Sequence, residues 1–105
     1  MTRNTIIEGD CIEQLGLLPS GSAQLVIADP PYNIGPDFGN KQEWHRNDDW
    51  LPWCRTWLAE CSRILTADGN LVVYGIHHYL CYLQVALYDL GLHYRRQIIW
   101  HYENG

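Results

Sequence analysis

The chain is short of positive charge: seven lysines and arginines stand against twelve aspartates and glutamates, a formal charge of −5 over 105 residues. That excludes a domain that holds nucleic acid through its own broad electrostatic field, so most phosphate contacts to any DNA substrate must come from elsewhere. The four cysteines (Cys11, Cys54, Cys61 and Cys81) form no C-x-x-C pair, no secretory signal opens the chain, and no apolar run approaches membrane-spanning length. Reduced thiols in a cytoplasmic protein, with no membrane partner, are the expectation. There is no internal repeat and no low-complexity segment, and Gly35 and Gly39 do not fit a phosphate-binding fingerprint. His77, His78 and Cys81 have helical spacing, but no second cluster completes a site, and no metal is expected.

Nearly half the residues are apolar, enough for a core, and the length suits one domain at the small end for an α/β enzyme. Five tryptophans and seven tyrosines indicate core packing, stacking on a planar ligand, or both. Four stretches have strand character: TIIEGD, AQLVIADPP, LVVYGI and YRRQIIWHY. The second is a continuous apolar run, the pattern of a strand covered on both faces. CIEQLGLL reads as one or two helical turns closed by Pro19-Ser20-Gly21-Ser22. Residues 33–49 form a long polar loop that includes Lys41 and His45, and loops of that length are often functional. Asp48 and Asp49 offer an N-cap, and Trp50, Trp53, Cys54, Trp57, Leu58, Cys61 and Leu65 follow at helical spacing, with Pro52 in the first turn. Ala67-Asp68-Gly69-Asn70 reads as a turn. A helix from His77 to Leu90, with Leu80, Leu83, Leu87 and Leu90 on one face, stops at Gly91. Arg95 and Arg96 read as a solvated strand edge. Strands alternating with helices predict a mostly parallel α/β sheet with helices on both faces, whose ligands sit beyond the carboxyl ends of the strands.

The stretch LVIADPPYNIG ends an apolar strand in Asp29-Pro30-Pro31-Tyr32. Asp and Pro are ordinary strand stops, so a plain turn with Tyr32 partly buried is one reading. The other follows from what the four residues present: a carboxylate, two positions without an N–H, and a flat ring.

The sequence resembles the S-adenosylmethionine-dependent DNA amino methyltransferases, whose catalytic signature is DPPY after an apolar strand. IIEGDCIEQL resembles that family's acidic cofactor motif. WLPWCRTWLAECSRILTADGNLVVYG resembles the helix and strand after the catalytic loop, and RRQIIWHYENG the segment leading towards target recognition. The resemblance implies a partial Rossmann-like methyltransferase fold over residues 1–105 and transfer of a methyl group from S-adenosylmethionine to an exocyclic base amine in DNA, of the kind found in restriction-modification systems. Asp29 and the Pro30 carbonyl would accept the two amine hydrogens, favouring a tetrahedral nitrogen and stabilising the positive charge that builds on it. Pro31 stiffens the backbone beside them. Tyr32 would stack on the flipped-out base, with Trp100 or Tyr102 closing the other side. Asp10 and the Cys11 N–H would meet the cofactor's adenosine, and Asp29 would touch cofactor as well as substrate. A Gly-Asp turn after a strand is the plain alternative for Asp10. An Asp in the first motif position implies adenine N6, with cytosine N4 as the alternative.

The family's glycine-rich motif, close to F-x-G-x-G, and its target-recognition region have no match in this chain. In the permuted class that begins with DPPY both lie further towards the carboxyl end. TIIEGD would then lack its natural neighbour, and LVIAD would present an open apolar edge, to be covered by another chain, by self-association or by rearrangement. Three readings follow: a fragment or subunit active only with a complementing chain, a non-catalytic remnant that binds protein or nucleic acid, and a self-sufficient minimal enzyme.

Overall fold

A computed structural model describes residues 4–32 and 47–103. The chain runs α1 (Cys11–Gly16), β1 (Ala23–Ala28), α2 (Asn47–Ile64), β2 (Leu65–Val73) and α3 (His77–Asp89). The α/β class and the parallel sheet stand as expected, with two strands among the described residues instead of four. Residues 5–8 and 92–102 carry no ladder. Ile6 is 98% exposed, and Ile98, Ile99 and Trp100 are each about 80% exposed. A strand exists only by pairing, and neither segment has a partner strand among the described residues. The expected loop residues Gly35, Gly39, Lys41 and His45 lie outside the described residues, as do Asn104 and Gly105.

The short α1 owes its start to Asp10, which sits in extended backbone and accepts the Glu13 N–H at 3.0 Å through Oδ2. A cap of this kind stabilises a helix by about 1 kcal/mol. Gly9 precedes it at φ +149°, and a Cβ there would press on the Gln14 side chain at 3.2 Å. The turn after α1 is folded onto the far end of α2: the Gly21 N–H donates to the Arg63 carbonyl at 3.0 Å and the Ser22 N–H to that of Ile64 at 2.7 Å.

β1 then pairs with β2 in parallel, Leu25 to Ala28 lying opposite Asn70 to Val73. Ala23 sits opposite Leu65, so the register slips between Ala23 and Leu25. The turn expected at Ala67-Asp68-Gly69-Asn70 is absorbed there as an irregularity inside β2, where the Thr66 hydroxyl donates to Asp68. Val26 and Ala28 on β1, with Leu71 and Val73 on β2, pack against the helical core. Leu25, Ile27 and Val72 alternate to the other face and are exposed. Among the described residues the apolar run of β1 is therefore covered on one face only, the face on which the helical core packs.

Helix α2 is the centre of the core. Trp50, Cys54, Trp57, Leu58, Cys61 and Ile64 recur at three- and four-residue spacing and are buried, meeting Leu83 and Ala86 of α3. It begins at Asn47, earlier than expected, which places residues 48 and 49 in its first turn instead of at the cap and Pro52 past that turn. It also ends one residue sooner, so Ile64 fills the core position assigned to Leu65. Helix α3 closes with Gly91 in the left-handed region at φ +83°.

Arg63 ties these parts together. Its guanidinium donates to the Leu15 carbonyl of α1 at 2.8 Å, to the Ser20 hydroxyl at 3.0 Å and to Glu60 at 2.9 Å. Arg63→Ala leaves the Leu15 carbonyl without that donor and should lower stability by about 2 kcal/mol in chemical denaturation. Arg63→Lys should restore less than half of the loss, because an ammonium cannot reach three acceptors in one plane.

Candidate active site

The ladder ends where the Tyr74 N–H donates to the Ala28 carbonyl at 2.9 Å. Asp29 is the first residue beyond it and is exposed. Pro30 and Pro31 have no N–H, so the backbone there can be held only through its carbonyls. The Pro31 carbonyl is held: the Trp50 indole Nε1–H donates to it at 3.0 Å. Trp50 is 1% exposed and packs on Tyr79 with ring centroids 5.2 Å apart.

An open cavity of about 540 Å³ lies at this carboxyl end of β1. Asp10 and Cys11 line it from the start of α1, Ala28 to Pro31 from the end of β1, and Trp53, Trp57 and Cys61 from α2. Asp10, Cys11 and Asp29, distant in sequence, thus share one space. Trp53 and Trp57 meet edge to face at 6.2 Å and form its aromatic wall. Both belong to the stripe that helical spacing assigns to the core, and periodicity alone cannot separate a core position from one at a cavity wall. A planar ring carrying an amine finds acceptors and an apolar face here.

Tyr32 is half-buried and is not among the residues that line this cavity; its hydroxyl donates to Asp29 Oδ1, which does line it. That bond, then burial and the negative charge of Asp29, push the phenol up to about 12, with smaller contributions from Tyr74 and Tyr102. Tyr74 follows the end of β2 and went unmarked in the sequence because nothing in LVVYGI separates its tyrosine from a strand residue. Trp100 is 81% exposed and does not line the cavity. Asp10 is both a cavity residue and the cap of α1; the D-x-x-E spacing of Asp10 and Glu13 is the signal for that second role.

The four thiols form no disulfide. Burial pushes Cys54 up to about 12 and Cys61 up to about 11, and burial with the Asp10 charge raises Cys11. His78 packs edge to face on Tyr79, and Cys81 leans on the His78 carbonyl.

Residues 23–105 match a protein family described as DNA methylase, the N6/N4 group. The chain is 33% identical to the type II methyltransferase M.HinfI of Haemophilus influenzae, over 96% of this chain and 32% of the relative. It is 33% identical to the type II methyltransferase M.HpaI of Haemophilus parainfluenzae, over 95% and 32%. It is 31% identical to the DNA adenine methyltransferase YhdJ of Escherichia coli K12, over 96% and 34%. The chain spans about a third of the length of these curated relatives.

The Tyr32–Asp29 bond gives a pH signature. A phenol raised from 10 to about 12 contributes stability that is fully present below about pH 10 and is lost as pH rises through about 12. Asp29→Asn should return Tyr32 towards 10, read as an earlier tyrosinate absorbance step that Tyr32→Phe abolishes.

Proposed function

The chain belongs to the N6/N4 DNA methylase family, and we propose that it is the catalytic portion of a DNA adenine-N6 methyltransferase, completed by a second polypeptide segment. The observation that carries this reading is the convergence of Asp29, Asp10 and Cys11 on one cavity just past the last rung of the parallel ladder. The adenine preference is supported by the aspartate in the first motif position and by the adenine methyltransferase among the relatives.

Asp29 and the Pro30 carbonyl accept the hydrogens of the base amine and stabilise the charge that grows on its nitrogen. For the amine to reach the carboxylate, the Tyr32 hydroxyl leaves Oδ1, and the freed ring takes the face of the extruded base, with Tyr102 or Trp100 on its other side. Asp10, the Cys11 N–H and the aromatic wall would hold the adenosine part of S-adenosylmethionine, and Asp29, which lines the same cavity, would meet both cofactor and base. When bound, that cofactor supplies a methyl group on a sulfonium as the electrophile. The glycine motif, the phosphate contacts that a chain of charge −5 lacks, and the target reader come from the completing segment, in the cytoplasm where DNA and cofactor meet.

A second reading, a non-catalytic binding remnant, is favoured by the exposed apolar residues Ile98, Ile99 and Trp100. Co-expression with the completing segment decides between them. Methyl incorporation into adenine by the pair alone supports the enzyme, methylcytosine moves the specificity to cytosine N4, and no incorporation leaves the binding module.

In the active pair, Asp29→Ala should lower methyl transfer by about a thousandfold with a much smaller change in cofactor affinity. Equal losses would place Asp29 in cofactor binding instead. Tyr32→Ala should weaken base capture, while Tyr32→Phe and Tyr32→Trp keep the stacking face and are tolerated; a Phe variant as damaged as Ala would rule out stacking.

A further inference from the structure

The Asp29–Tyr32 segment has an unusual anchoring problem. Its two prolines fix φ but give the backbone no donor, so the orientation of each following peptide plane depends on ψ alone. At Pro31 that freedom is removed. The Trp50 N–H holds the Pro31 carbonyl at 3.0 Å, and with φ set by the ring and the carbonyl set by the indole, ψ is set too. The peptide plane so fixed is the one that launches Tyr32. The anchor itself is immobile: Trp50 is 1% exposed, packed on Tyr79 and built into the first turns of α2.

We propose that Trp50 is a positioning residue, whose indole N–H aligns the Pro30–Tyr32 backbone so that the Tyr32 ring and the Pro30 carbonyl meet a planar base. This rests on the methyltransferase reading for its catalytic consequence but not for its geometry. Trp50 touches no reacting atom. It couples the rigid core to a stretch that cannot otherwise be tied down, and misplacement there by about 1 Å costs about a hundredfold in a reaction that depends on alignment.

The test separates the N–H from the bulk. In the full chain, Trp50 is replaced by benzothienylalanine, which keeps the outline and exchanges N–H for sulfur, and in parallel by Phe (Trp50→Phe). Fluorotyrosine at position 32 reports the ring by fluorine NMR. The expected result is a folded isostere variant in which the Tyr32 signal moves towards that of free fluorotyrosine and its phenol titrates earlier than in the parent. In the completed enzyme, kcat falls about tenfold or more while cofactor Kd stays within twofold. A folded isostere variant with an unchanged Tyr32 signal overturns the proposal. So does an isostere that fails to fold, because the N–H would then be holding the core and not the site. If the parent enzyme transfers no methyl group, the methyltransferase reading fails, and the Tyr32 signal still decides the role of Trp50.

Discussion

The last rung of the sheet, Tyr74 N–H to the Ala28 carbonyl, is the constraint on which the rest of the molecule depends. Up to that rung the backbone of β1 is fixed by its neighbour; one residue later two prolines forbid any further ladder donation. The transition from a strand paired with its neighbour to a chain that cannot pair is what leaves Asp29 at the sheet end, exposed but rooted in the ladder. Without parallel pairing in the observed register, Val26 and Ala28 would not face the helices, and Asp29 would not stand over the same cavity as Asp10.

That pairing is in turn held from outside the sheet. A two-stranded ladder is marginal alone and survives by packing on helices. Here α2 supplies a buried stripe for one face, while Arg63 at its end and the Gly21 and Ser22 amides clamp α1 and the entry to β1 onto the same helix. The other face keeps Leu25 and Ile27 in solvent, more than half exposed. The molecule is thus organised from one side: everything that shapes the cavity is tied to α2, and nothing among the described residues covers the opposite surface.

Local signals in the sequence carried the parts whose causes are local. The stripe from Trp50 to Cys61 is buried because helical periodicity and apolarity coincide there, and α3 stops at Gly91 because a left-handed residue is needed. The end of β1 at Asp29 was visible for the same reason. What failed was what depends on a partner. TIIEGD and YRRQIIWHY have the composition of strands, but composition cannot provide a neighbour, and the first was expected to lack one. The fate of AQLVIA, buried on one face instead of two, is the same lesson at the level of layers. Trp50 shows the limit most plainly. Its bond to Pro31 spans the whole of the polar loop in sequence, and no spacing rule distinguishes a core tryptophan whose N–H is idle from one that holds the backbone beyond a strand end.

The contact between Tyr32 and Asp29 bears on how such a site stays ready without a ligand. An exposed carboxylate has water as its alternative partner, so a phenol donated to it stabilises the pair only modestly, about 1–3 kcal/mol for a hydrogen bond to a charged group. Stacking a base on an aromatic ring returns about the same amount. On the proposed function, an amine hydrogen replacing the phenol would restore the bond to Asp29 and the released ring would gain a stacking surface, so the exchange would be close to balanced. On the same reading, holding the Pro31 carbonyl would keep that exchange cheap: the Tyr32 side chain and its own φ would move while the Pro31 carbonyl stays on the Trp50 indole. The rigidity proposed to orient the acceptors would then also confine the rearrangement to one residue.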